Sequence, residues 1–163
     1  RLGVRRKADL LVPPEMDVFA AVQQAAAAAP LACVLCDESQ FFTPQQAEEL
    51  FMVTVELHIP VILLSQLNRG SENRAYGRLE LADLRESGAI EQDSDLVLLL
   101  YRPALAHLAT DKQSGYPTEG LGVAIIAKHR NGETGNVYFG HNKSMTKIGD
   151  YVPPMEWIKK NAR

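Results

Sequence analysis

The sequence lacks a phosphate-binding loop: neither Gly-x-x-x-x-Gly-Lys-Ser/Thr nor a close variant occurs among its 163 residues. That loop supplies the backbone N–H groups and the lysine that hold the β- and γ-phosphates of a nucleotide. Tight Mg-ATP binding by this chain alone is therefore not expected. Long apolar runs are missing too. None reaches the roughly 18–20 residues of a membrane span, and no leader pattern opens the chain, so the reading is a cytoplasmic protein without a membrane partner. Cysteine is scarce, at Cys33 and Cys36 alone. A Cys-x-x-Cys pair can serve redox chemistry or half a zinc site, but this one lies in the apolar run 31–36, which reads as a buried strand. Side chains three apart on a strand point to opposite faces, so these two neither share a metal nor bridge. The four histidines, at 58, 107, 129 and 141, show no ligand spacing. Nor is there an excess of positive charge: the net charge of −3 excludes a basic coat, though one local basic face can still meet phosphates.

What is present fits a globular domain with a sizeable core, 46% hydrophobic and 23% charged. Pro13-Pro14 ahead of Glu15 and Asp17 marks a helix start, and the helix runs through the alanines to Pro30. After strand 31–36 and Asp37-Glu38, Thr43-Pro44-Gln45-Gln46 carries a capping box with proline at the first helical position. A second buried strand follows at 61–65, completing strand, helix, parallel strand. Further along come a helical or turn region at 81–92, an apolar strand at 95–101 and a polar loop at 104–120 that reads as mobile. Strands at 122–129 and 135–140 join through Asn131-Gly132, a hairpin turn signal, before a last strand at 144–148 and a tail. The chain opens at Arg1 rather than Met, which implies a trimmed product.

Three strings point to a family: Leu64-Ser65-Gln66-Leu67-Asn68-Arg69, then 83–95 (Asp83-Leu84-Arg85-Glu86-Ser87-Gly88 onward to Asp95), then Lys128-His129-Arg130-Asn131-Gly132. In this order they resemble the RecA-like motor domain of the DnaB family of replicative helicases, over about residues 59–151. Residues 1–61 resemble something else. Val34-Leu35-Cys36-Asp37-Glu38-Ser39-Gln40-Phe41-Phe42, with Gln45-Gln46, Glu49-Leu50 and Ile59-Pro60-Val61, is similar to bacterial-type thymidine kinase, which places a glutamate after its Walker B aspartate as Glu38 stands here. That family's next glycine-containing loop and zinc-binding cysteines are absent past Val61. A changeover at about residues 59–63 falls on a strand both families share, so a fusion would still pair its sheet.

The resemblance implies an α/β, three-layer P-loop NTPase core with a mostly parallel sheet, lacking its first strand and phosphate loop and ending in a β-hairpin. Residues 1–163 would form a single partial RecA-like domain: a kinase-like segment to 61, a helicase-like segment 62–151 and a tail 152–163. Asp37, at a strand end, would hold Mg²⁺, and Glu38 would act as the kinase's base. Gln66 would sense the γ-phosphate. Arg69 and Arg74 are ambiguous, since surface arginines commonly have no specific task. Arg85, Glu86 and Gly88 would form the loop that tracks single-stranded DNA, through N–H groups and arginine on the backbone. Lys128 and Arg130, two apart on a strand and so on one face, would reach the ATP of a neighbouring subunit, the arginine as a finger. A finger acting in trans implies a ring, a homohexamer in this family. Three functions stand side by side: an ATP- and Mg²⁺-dependent DNA helicase, a thymidine kinase, and a non-catalytic recombined scaffold.

Overall fold

A computed structural model of the chain describes residues 7–67 and 78–161. They divide into two compact units, one of residues 7–67 with 84–94, the other of 78–83 with 95–161.

In the first unit, α1 (Val18–Ala28) packs on α2 (Pro44–Glu56), and beneath them β1 (Val34–Cys36) pairs in parallel with β2 (Val61–Leu63). Local signals explain where the helices start. Asp17 caps α1 by accepting the Ala20 N–H at 2.8 Å, and the Glu49 carboxylate of α2 accepts the Val18 N–H at 2.7 Å. At α2 the capping box is complete: Thr43 Oγ1 accepts the Gln46 N–H while Gln46 Oε1 accepts the Thr43 N–H, each at 3.1 Å. The apolar stripes then meet. Val18, Val22, Leu50, Val53 and Ile59 are buried, with Val34, Cys36, Val61 and Leu63 packed against them. The opposite faces of the two strands are open, with Leu35, Ile62 and Leu64 exposed. Strands 31–36 and 61–65 are thus shorter than the sequence predicts and buried on one face only. The helical region expected at 81–92 is a 3-10 turn, Leu81–Ser87, followed by α3 (Gly88–Asp93).

The second unit is a four-stranded antiparallel sheet in the order β3 (Leu96–Tyr101), β4 (Leu121–His129), β5 (Gly135–His141), β6 (Ile148–Asp150). Alternation along β3 buries Val97, Leu99 and Tyr101, which join Leu121, Val123 and Ile125 of β4 in the core. The β3–β4 register slips between Val97 and Leu98: Val97 faces Lys128 but Leu98 faces Ile126. Ala127 is the extra residue of this bulge.

The expected α/β class and C-terminal hairpin are found, whereas the expected predominance of parallel pairing narrows to β1–β2. β1 and β2 are joined through α2 as a parallel crossover, whereas β4, β5 and β6 follow one another through short turns, which force antiparallel pairing. Three local expectations also change. The predicted strand 144–148 shifts to 148–150, because Asn142 Oδ1 accepts the N–H groups of Thr146 (2.9 Å) and Lys147 (3.1 Å) and curls 142–147 into a turn, with Met145 at φ 56°. The polar stretch 104–120 is hydrogen-bonded rather than loose: Asp111 is buried, accepting from the Ser114 N–H and hydroxyl, and Thr110 bridges to Pro117. The tail contains a helix, α4 (Met155–Asn161), whose Trp157 ring rests on Tyr116, centroids 5.0 Å apart, and donates from Nε1 to Gly115 O.

Among the described residues no helix is long and apolar enough to cross a membrane. Cys33 and Cys36 are both free; Cys33 precedes β1 and is exposed, while Cys36 is the last residue of the strand. Burial pushes the Cys36 thiol up to about 11.

Candidate functional site

The polar ends of the parallel pair build the site of the first unit. β1 delivers Asp37 and Glu38, and β2 delivers Gln66 a few residues past its end. Parallel pairing in the register Cys36 opposite Leu63 brings both ends to the same side of the sheet, the arrangement in which α/β folds place ligand-binding groups. The two ends are then stitched together: Ser39 donates its backbone N–H and its hydroxyl to Leu64 O, each at 2.9 Å.

On this stitch Gln66 meets Glu38. The Gln66 amide nitrogen donates to both Glu38 carboxylate oxygens, at 3.1 and 2.9 Å, and its backbone N–H donates to Gln40 Oε1 at 3.0 Å. Gln40 Nε2 in turn donates to Glu38 at 2.5 Å. The network closes on itself: Glu38 accepts from both glutamines, and Gln40 bridges them. Glu38 holds a left-handed backbone, φ 53° and ψ 39°, which costs a non-glycine residue about 1–2 kcal/mol. Beside it Asp37 Oδ1 accepts the Glu38 N–H at 2.9 Å. Of the predicted residues, then, Asp37, Glu38 and Gln66 come together. Gln40 is the member that sequence reasoning left unassigned; its place within the string around Glu38 was the available signal.

Arg85 and Glu86 lie on the turn Leu81–Ser87, and Gly88 opens α3. Arg69 and Arg74 fall outside the described residues.

In the second unit, Lys128 and Arg130 stand at the end of β4 and just beyond it. Arg130 makes a 2.7 Å ion pair with Asp95, and its backbone N–H donates to Asp95 O at 2.8 Å. Both side chains are substantially exposed, at 47% and 68%, so the pair contributes at most about 1 kcal/mol. The Asn131-Gly132 turn differs from the tight turn its sequence predicts: residues 130–134 connect the strands, and neither Asn131 nor Gly132 has positive φ. A Cβ at 132 would lie 2.3 Å from the ring of His129, an exposed side chain that is free to swing aside.

A parallel pair with a polar strand end, beside a hairpin-bearing sheet in sequence, belongs to the RecA-like ATPase fold. A solved ATPase domain superimposes with a TM-score of 0.66 at 31% identity, over 83% of this chain and 50% of that one. A DnaB-like replicative helicase, described with its interactions with primase, gives 0.66 at 29% identity, over 83% of this chain and 35% of that one. The chain belongs to the DnaB-like helicase C-terminal domain family, whose model matches residues 43–150. Among curated relatives, the replicative DNA helicase DnaB of Leifsonia xyli subsp. xyli is 45% identical over 64% of this chain and 21% of its own length. That of Mycobacterium intracellulare is 38% identical over 70% of this chain and 19% of its own. The chain thus spans about a fifth of the length of these relatives. The family match begins at residue 43, ahead of residues 59–63 where the sequence puts a changeover; residues 1–42 lie outside it.

Proposed function

We propose that the chain supplies part of the motor of a cytoplasmic replicative DNA helicase, in which ATP hydrolysis at the subunit interfaces of a homohexameric ring draws single-stranded DNA along and parts the duplex. In this reading residues 1–163 are one partial motor domain, and Gln66 reports the state of the γ-phosphate to Glu38. Lys128 and Arg130 reach the nucleotide of the next subunit, and Arg85, Glu86 and Gly88 track the DNA backbone. The observation that supports it most is the hydrogen bonding of Gln66 to Glu38, because a residue that senses a phosphate must be linked to the carboxylates at the strand end. Arg130 would have to leave Asp95 to act as a finger, and the exposed pair makes that exchange cheap.

The residues fit a nucleotide and its metal only in part. Asp37 offers an exposed hard-oxygen ligand, and Mg²⁺ characteristically takes one or two carboxylates together with substrate phosphates. No group of three or more candidate metal ligands gathers among the described residues. When bound, Mg-ATP would bring the scissile phosphate and a charge to offset its developing negative charge. The sequence has no phosphate loop to hold it, so the chain by itself is not expected to hydrolyse ATP.

The test is binding of a fluorescently labelled oligo-dT, read by anisotropy across a salt series. Binding should weaken with salt, and Arg85→Ala should lower the affinity and flatten the salt slope by about one phosphate contact. Equal binding by that variant removes the tracking role, and a chain that stays monomeric at high concentration by sedimentation removes the trans role of Lys128 and Arg130.

A second reading rests on Glu38 itself. Its carboxylate beside Asp37 suits a base that takes a proton from a sugar hydroxyl, and residues 1–42 lie outside the helicase match. We infer for residues 1–61 a thymidine-kinase-like origin joined by fusion, at about residues 59–63, to a helicase-like remainder, the chain then being either a thymidine kinase or a non-catalytic recombined scaffold. Thymidine phosphorylation that is abolished by Glu38→Gln would reverse the order of the two readings.

A further inference from the structure

The turn Leu81–Ser87, on which Arg85 stands, is fastened at two places ahead of that residue. The nearer lies in the turn itself. Asp83 is 5% exposed and Leu84 8%. Asp83 Oδ2 accepts the Glu80 N–H at 2.8 Å, and the Asp83 N–H donates back to Glu80 O at 2.9 Å. This reciprocal pair fixes the backbone at the start of the turn.

The farther fastening is Arg78, whose guanidinium is spent outside the turn. Its Nη2 donates to Gln113 Oε1 and to Asn136 Oδ1, each at 2.9 Å. Asn136 Nδ2 donates to the same Gln113 oxygen, so the three side chains close a triangle. They come from three stretches of the second unit: the approach to the turn, the loop 104–120 and β5.

Both partners of Arg78 are themselves held. Asn136 pairs across β5 with Ile125, a core residue of β4. The Gln113 backbone N–H donates at 3.2 Å to the carboxylate of Asp111, which is buried and also accepts the Ser114 N–H and hydroxyl. The guanidinium is therefore tied to the sheet and to a closed turn. Both acceptors are neutral amides, so what they supply is direction, taken up by the two fixed N–H bonds of one nitrogen.

A loop that meets a DNA backbone binds best when it already has its bound geometry; otherwise ordering it is charged against binding. We propose that Arg78 is a positioning residue for the DNA-tracking segment, clamped by Gln113 and Asn136 so that the turn carrying Arg85 is held ready. In this assignment, which rests on the DNA role proposed for Arg85, the loop 104–120 serves as a brace.

The test uses the full chain and two variants, Arg78→Gln and Gln113→Ala. Gln113 is exposed and gives the clamp only its side-chain oxygen, so its truncation leaves the Asp111 turn and every charge intact. Hydrogen–deuterium exchange of the peptide over 79–88 should quicken about fivefold or more in both variants, with α2 unchanged. In anisotropy with labelled oligo-dT, both should bind about threefold to tenfold more weakly. The salt slope should stay as in the unaltered chain, because neither variant loses a phosphate contact. If Arg78→Gln flattens that slope while Gln113→Ala binds normally, Arg78 itself meets the phosphate and the clamp is not its task. Unchanged exchange in both variants, or oligo-dT binding that neither weakens, overturns the positioning role alone. No oligo-dT binding by the unaltered chain is a different failure: it ends the DNA reading of Arg85, and this use of the clamp with it.

Discussion

Replacing Gln46 by leucine should destabilise the first unit by about 2 kcal/mol. The residue is 2% exposed and holds together two parts of the chain distant in sequence. Its Nε2 donates to Pro13 O at 2.9 Å, with longer contacts to Pro14 O and Met16 O, while Oε1 accepts the Thr43 N–H at 3.1 Å. Losing the reciprocal cap costs about 1 kcal/mol, and losing the bond to the Pro13 carbonyl about another 1 kcal/mol. Leucine keeps the volume, so no cavity term is added. For a unit of this size the loss corresponds to a melting temperature about 8–16 °C lower. The assay is urea and thermal unfolding followed by circular dichroism at the helical band, with Gln45→Leu as control, since Gln45 bonds only to Glu49 on the surface. A Gln46→Leu variant that unfolds with the unaltered chain would refute the claim that one side chain pins residues 13–16 to the start of α2.

Gly122→Ala should cost about 1–3 kcal/mol in urea unfolding, because an added Cβ would lie 2.3 Å from the Phe139 ring on the adjacent strand; an unchanged midpoint would mean that the ring moves freely. Toward an aromatic disulfide reagent at pH 8, Cys33, which is exposed, should react about tenfold or more faster than Cys36. Burial raises the Cys36 thiol to about 11 from 9.0, so its protonated form favours the folded state; that contribution is complete below pH 9.0 and lost as pH climbs through about 11. Urea midpoints measured between pH 8 and pH 11 should fall over that window in the unaltered chain, and less in Cys36→Ser.

What could be read in the sequence was whatever local chemistry alone decides. Thr43-Pro44-Gln45-Gln46 specifies its helix start without help from elsewhere, and the structure has that cap complete. Asp37 and Gln66 stood out as polar residues after apolar runs, but the roles given to Gln66 and Glu38 came from family resemblance and not from local pattern. That Gln40 bridges two of them depends on the Ser39–Leu64 stitch, a contact across 25 residues that no local pattern encodes. The helix Met155–Asn161 escaped because none of its residues is buried, so it has no apolar stripe to betray it. Its weaker signals were Pro153-Pro154 ahead, Glu156 in the first turn, and Lys159 and Lys160 in the last. At Asn131-Gly132 the dipeptide gave the right hairpin for the wrong reason: neither residue takes the left-handed backbone that the tight turn requires.

The apolar runs themselves misled in one direction only. Continuous apolar strands are the mark of a sheet covered on both faces, yet Leu98 and Leu100 of β3 are 52% and 70% exposed, while Val97 and Leu99 beside them are buried. Along β3 a continuous apolar run is thus covered on one side only. Stability and apolarity should therefore part company along one strand. Leu98→Lys with Leu100→Lys should shift the unfolding free energy by no more than about 0.5 kcal/mol, the usual range for surface positions. The same change should lower binding of a hydrophobic dye and raise solubility. Leu99→Ala, one residue between them and 2% exposed, should cost about 2–5 kcal/mol. If the double lysine variant unfolds as readily as Leu99→Ala, the outer face of β3 is covered in solution and the one-sided sheet is wrong.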